Sequence, residues 1–104
     1  MSKIHIIEDE GDLREIIEVL LIDNGLANVA CHENWESCNA SDGDIIIHDV
    51  YGVGKIKSID NVKYISLSGD VTVNPDIIKP FDISNLVKKI KEAKVLKLDA
   101  DKVL

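Results

Sequence analysis

In this 104-residue chain, a lysine, a serine and a set of carboxylates stand where apolar runs end. Glu8, Asp9 and Glu10 follow "KIHII", and Asp49 closes "DIIIHD". Ser68 closes "VKYISLS", and Lys79 closes "DIIK". An ionised Asp is seldom buried without a partner, so an isoleucine run that ends on Asp49 calls for one. If these run ends meet, their carboxylates repel one another and call for a cation. An all-oxygen donor set that retains water suits Mg²⁺. A metal and a lysine beside one carboxylate are what phosphorylation of that carboxylate needs. Both neutralise the phosphoryl oxygens, and a nearby hydroxyl can donate a hydrogen bond to one of them.

The elements that must position these residues are legible from periodicity. Short, branched, acid-bounded runs predict strands at 3–7, 26–32, 44–49, 62–68 and 76–79. In "DLREIIEVLLIDNG" Leu13, Ile16, Ile17, Leu20 and Leu21 share a helical face. Asp12 is its expected cap and Asn24-Gly25 its stop. One or two helical turns are expected at 34–41, capped by Asn34. After Pro80, Asp82 can cap an amphipathic helix built on Ile83, Leu86, Val87 and Ile90. Residues 93–104 read as an extension of that helix or as a tail.

Strands alternating with helices predict one α/β domain over 1–104, core 3–92, with a parallel five-stranded sheet. Ligands of such sheets bind beyond the carboxyl ends of the strands, where the six residues stand. Two connections are short for parallel neighbours, which need about a dozen residues or more, usually helical. Residues 50–61 hold two glycines, and 69–75 hold Val-Thr-Val-Asn-Pro. Two helices are therefore shortened or missing, or one crossover is not parallel. A parallel sheet needs cover on both faces. Tyr64, Ser66, Ser68, His5 and His48 mark one face as thinly covered, a place for a homodimer or a docked partner.

The net charge of −7 argues against nucleic acid as a direct partner. No apolar run reaches membrane-spanning length, and the N-terminus lacks the pattern of a signal peptide, which points to the cytoplasm. Cys31 and Cys38 fit no zinc or redox spacing and read as reduced thiols. His5, His32 and His48 likewise lack ligand spacing. Trp35 and Phe81 most simply fill core edges.

The ordered motifs resemble a response-regulator receiver domain of two-component signalling, a flavodoxin-like fold. "IHIIEDEGDLREII" is similar to that family's first strand, acidic pair and first helix. "DIIIHDV" resembles its phosphoacceptor strand and "YISLSGD" its hydroxyl strand. "IIKPFDISNLVKKI" resembles its lysine–proline turn and last helix. The resemblance implies that Asp49 accepts the phosphoryl group and that Asp9 and Asp49 bind Mg²⁺, with Glu8 assisting. It implies further that the backbone carbonyl of Tyr51 completes the metal ligands and that Ser68 and Lys79 contact the phosphoryl group. Gly69 matches the small residue beside the hydroxyl, and Pro80 the family's cis proline.

Departures from the family fall together. The short connections replace its third and fourth helices, and Asp76 replaces the aromatic switch residue three positions before the lysine. Much of the usual output surface goes with them. The expectation is a stand-alone phosphoacceptor, phosphorylated by a histidine kinase or phosphotransfer protein and signalling by contact with a downstream protein. It would not be an enzyme beyond self-phosphorylation and autodephosphorylation. The alternatives are a pseudo-receiver that is never phosphorylated and a small Mg²⁺-dependent phosphohydrolase. The phosphohydrolase usually carries a second acid two residues after the nucleophile, where this chain has Tyr51.

Overall fold

The computed structural model describes residues 2–103, and the side chains of residues 2–93. Strands β1 (Ile4–Ile7), β2 (Val29–His32), β3 (Ile45–Asp49), β4 (Lys63–Ser68) and β5 (Ile77–Ile78) form one sheet. Every pairing is parallel, in the order β2-β1-β3-β4-β5. Helix α1 spans Gly11–Asp23 and α2 spans Ile83–Val103.

Alternation along the strands sorts the core into two layers. Ile4 and Ile6, Ile45 and Ile47, Ile65 and Leu67, and Ile77 point to the side covered by the helices. There they meet Ile17 and Leu21 of α1 and Leu86, Val87 and Ile90 of α2. Of the helical face expected on α1, Ile17 and Leu21 are fully buried, whereas Ile16 is 54% exposed. The opposite side holds Ile7 and Ile46 with Trp35, Cys38 and Val53. His5 and His48 are buried there too.

Helix α1 starts two residues earlier than its expected cap allows. Glu10 is the N-cap, without a side-chain bond, and its carbonyl accepts from the Arg14 amide at 2.9 Å. Asp12 therefore lies in the first turn, where a negative charge still suits the helix dipole. The Asn34 cap forms as expected, its Oδ1 accepting from the Glu36 amide, but the segment it starts is a single 3₁₀ turn, Trp35–Ser37. Asp82 accepts from the Ser84 amide at the start of α2.

Neither short connection forms an α-helix, and both are parallel crossovers. Residues 50–62 cover the sheet as a loop stitched in by side chains. The Trp35 amide donates to the Val53 carbonyl, and Lys57 Nζ donates to the carbonyls of Glu36 and Cys38. The Tyr64 hydroxyl accepts from the Ile59 amide and donates to the Lys57 carbonyl. These bonds meet the polar demand that a helix would otherwise satisfy internally.

The connection from β4 to β5 succeeds because it has little distance to recover. β5 pairs only the last two residues of β4, Leu67 with Ile77 and Ser68 with Ile78. A 3₁₀ turn at Val71–Val73, capped by Asp70, and a left-handed Asn74 (φ 52°) reverse the chain. Asp76 then docks on Ser66: its carboxylate accepts from the Ser66 amide at 2.9 Å, and its own amide donates to Ser66 Oγ at 2.9 Å. The loop-side cover thins at this edge, where Ile78 is 53% and Val71 63% exposed.

Candidate functional site

The carboxyl ends of β1 and β3 bring the acidic residues together. Carboxylate oxygens of Glu8, Asp9 and Asp49 lie within 4.8 Å of one another. Glu8 is buried at 1% exposure, Asp49 is half-buried and Asp9 faces solvent. Lys79 reaches across from the end of β5, with Nζ 2.6 Å from Glu8 Oε1 and 3.0 Å from Asp49 Oδ2. This answers why an isoleucine strand can end on a carboxylate: the lysine partner arrives from 30 residues away. The Lys79–Pro80 peptide is cis, in agreement with the resemblance.

The other carboxylate oxygens of Glu8 and Asp49 each have a partner. Asp49 Oδ1 accepts from the Val50 amide at 2.8 Å, and Glu8 Oε2 accepts from the Glu10 amide at 3.3 Å. Arg14 Nη1 donates to the Glu8 carbonyl at 2.6 Å, tying α1 to the rim. Burial pushes Asp49 upward, but the Lys79 ammonium, Glu8 and the Val50 amide outweigh it and hold the carboxyl below its ordinary value. Burial leads at Glu8 too. With Asp9 beside it, burial outweighs Lys79, and the carboxyl is raised. Burial lowers Lys79, yet Glu8 and Asp49 raise it further, so the ammonium persists.

The donor set fits a divalent cation of the Mg²⁺ kind. All the available side-chain ligands are oxygens, and three formal carboxylates against one ammonium leave two negative charges. The backbone also leaves room beside Asp9. A Cβ on Gly52 would come within 2.5 Å of Asp9 Oδ2, at a φ of +79°. Gly52 was not singled out from the sequence; its signal was its place three residues after Asp49, inside the glycine-dotted segment.

Other expected site residues are placed less directly. Ser68 is buried at the end of β4, beside the strand that carries Asp49, and its Oγ accepts from the Asp70 amide at 3.0 Å. That leaves its hydroxyl hydrogen free to donate elsewhere. The Tyr51 side chain turns away, its hydroxyl donating to Asp70 Oδ2 at 2.8 Å. A Cβ on Gly69 would sit 3.7 Å from the Lys79 carbonyl, an ordinary contact.

A second cluster lies on the loop-covered face. His5, His32 and Cys38, for which the sequence offered no ligand spacing, present ligand atoms within 4.8 Å of one another. Their distances along the chain are irregular because parallel register brings His5 and His32 together and the 3₁₀ turn carries Cys38 to them.

A parallel five-stranded sheet in this strand order with an acidic rim crossed by a lysine defines a receiver-domain fold. Over 98% of its length the chain is similar to a response regulator receiver modulated diguanylate cyclase from Pelobacter carbinolicus. The TM-score is 0.69, with 99% of that chain covered and 19% sequence identity. No protein-family model and no curated protein matches the sequence. Among the described residues, no helix is long and apolar enough to cross a membrane.

Proposed function

We propose that the protein is a phosphoacceptor receiver domain of a two-component or phosphorelay system, with Asp49 as the acceptor. The observation that carries this reading is Lys79 bridging Glu8 and Asp49, with Asp9 alongside, at the carboxyl rim of a receiver-type sheet. Asp49, held ionised by its partners, attacks the phosphorus of the donor. The new O–P bond forms as the donor's N–P bond breaks and its imidazole departs with the electron pair. Lys79 then redirects its ammonium to the phosphoryl oxygens, and Ser68 donates to another.

Glu8, Asp9, Asp49 and the Tyr51 carbonyl would hold Mg²⁺, which when bound supplies charge neutralisation at the phosphoryl oxygens. On this reading the chain is no enzyme beyond taking and losing the phosphoryl group. The donor is a cytoplasmic histidine kinase or phosphotransfer protein, and the output is contact with another protein.

A second reading, an interaction module that is not phosphorylated in use, has one observation in its favour. Asp76 stands where the family has its aromatic switch, and it is locked onto Ser66 by reciprocal hydrogen bonds. Intact mass after incubation with Mg²⁺ and acetyl phosphate separates the two. The phosphoacceptor reading predicts the gain of one phosphoryl group, lost on omitting Mg²⁺ and in Asp49→Asn. No gain, together with no binding of a beryllium fluoride mimic, would favour the interaction module. Either kind of module needs a contact surface, and the exposed Ile78 and Val71 mark the β5 edge for it. A second copy of the chain is the occupant to test there: a dimer mass in solution that reverts to monomer in Ile78→Asp would establish it, and a monomeric wild type would exclude it.

A further inference from the structure

We infer that His5, His32 and Cys38 form a zinc site, independent of the acidic rim. His5 lies on β1, His32 at the end of β2, and Cys38 directly follows the 3₁₀ turn that covers the sheet. His5 Nδ1 and His32 Nε2 face each other at 3.0 Å. Tetrahedral Zn²⁺ holds two imidazole nitrogens about 3.3 Å apart, so the pair needs to open by only a few tenths of an ångström. Cys38 Sγ lies within 4.8 Å of a ring nitrogen of each histidine, against about 3.6 Å in a formed site, a gap that side-chain rotation and small loop adjustments can close.

The outer partners of the two rings are already in place, which separates this cluster from a chance meeting of side chains. Asp44 Oδ2 lies 3.0 Å from His5 Nε2, and a carboxylate there can only accept. His5 therefore carries its N–H at Nε2, and Nδ1 is the nitrogen turned toward the cluster. Asp44 is itself fixed by the amides of Ser41 and Lys3, each at 3.0 Å. On the other ring, Ser37 Oγ lies 3.1 Å from His32 Nδ1. A carboxylate or hydroxyl behind each ligating imidazole is the arrangement that orients histidines at zinc.

Charge and proton count balance. On binding, the hydrogen between the two imidazole nitrogens transfers to His32 Nδ1, where Ser37 Oγ accepts it. The Cys38 thiol proton leaves to solvent, so one proton is released per ion. The Cys38 thiolate and the Asp44 carboxylate together neutralise Zn²⁺. Three protein ligands leave the fourth position to water. Bound zinc would tie the edge strand β2 and the 3₁₀ turn to the centre of the sheet.

The test is titration of the metal-free full-length chain with Zn²⁺ against a chromophoric chelator, with Co²⁺ as a spectroscopic probe. The wild type should bind one zinc, and its Co²⁺ form should show a thiolate-to-metal charge-transfer band. Cys38→Ser should lose the band. His32→Gln should weaken binding by more than the roughly 10–100-fold expected of Asp44→Asn, which removes only an outer partner. Cys31→Ser and Asp49→Asn should bind as the wild type does. If a variant fails to fold, the wild type still decides the matter: zinc should raise its Tm and a chelator reverse the rise. Absence of the charge-transfer band, unchanged affinity in a folded Cys38→Ser, or binding lost in Asp49→Asn would overturn the site. The last outcome would assign the ion to the acidic rim.

Discussion

The two faces of the sheet solve the same burial problem with different chemistry. Under α1 and α2 the strands present Ile and Leu with Val from α2, and the helices satisfy their own backbone. Under the 50–62 loop and the 3₁₀ turn they present His5, which stacks on His32, and His48 and Tyr64, whose rings lie tilted against Trp35 at 5.2 and 6.1 Å. A loop cannot satisfy its own amides and carbonyls, so the face beneath it must carry polar groups that can. Tyr64 does this directly from β4, and Lys57 of the loop in turn serves the carbonyls of Glu36 and Cys38. Loss of helices and gain of polar side chains are thus one adaptation, and histidine chemistry becomes possible on that face alone.

The largest expected effect tests whether the loop cover is real. Trp35 is 2% exposed, and Trp35→Ala should cost about 3–5 kcal/mol in urea unfolding. Leu86→Ala, on the helix side, should cost about 2–5 kcal/mol. A Trp35→Ala cost near zero would mean that the loop side is not a packed layer.

Next comes a pair of glycines at the mouth of the loop. Gly52 and Gly54 share a left-handed backbone, φ +79° and +81°, so alanine should strain either by roughly 1–3 kcal/mol. Only Gly52→Ala also drives a Cβ into Asp9. It alone should impair phosphoryl uptake, and equal uptake in the two variants would remove Gly52 from the site.

A smaller effect comes from Tyr64→Phe, which leaves the Ile59 amide without its partner. It should cost about 1–2 kcal/mol with the helix-side packing unchanged. Smallest is a pH dependence confined to the loop side. Burial lowers His48 below the ordinary 6.5 despite the raising influence of Asp49 and Asp76, and burial also lowers His32, with the field of His5 adding to it. Below that value the unfolded chain binds protons that the folded chain refuses. Stability is therefore fully present above about pH 6.5 and falls as the pH drops toward the folded values. Urea midpoints taken with chelator present, between about pH 7 and 5.5, should show this slope, reduced in His48→Gln. A flat profile would contradict it.

How much of this was legible in the sequence depended on distance along the chain. Each strand end could be read because an apolar run and its terminal polar residue are neighbours, and so Glu8, Asp9, Asp49, Ser68 and Lys79 were all named. Their convergence followed from the rule for parallel sheets: the structure gathers Glu8, Asp9 and Asp49, crosses Glu8 and Asp49 with the Lys79 ammonium, and places Ser68 on the adjacent strand. Asp12 was misplaced as a cap because helix starts depend on backbone geometry that residue type alone does not fix. Gly52 was missed because its role lies in a Cβ it lacks, toward a residue 43 positions earlier. The His5–His32–Cys38 cluster was invisible because strand register and the docking of the 3₁₀ turn decide it. The tail beyond residue 92 continues as helix to Val103.

The central claim is that Asp49 itself carries the phosphoryl group. After incubation with Mg²⁺ and acetyl phosphate, borohydride reduction converts an aspartyl phosphate to homoserine, which peptide mass spectrometry locates. The account predicts homoserine at position 49 in the wild type, with a lower yield in Lys79→Ala. Homoserine at Asp9 or another carboxylate, or none in a sample whose intact mass has gained a phosphoryl group, would contradict it.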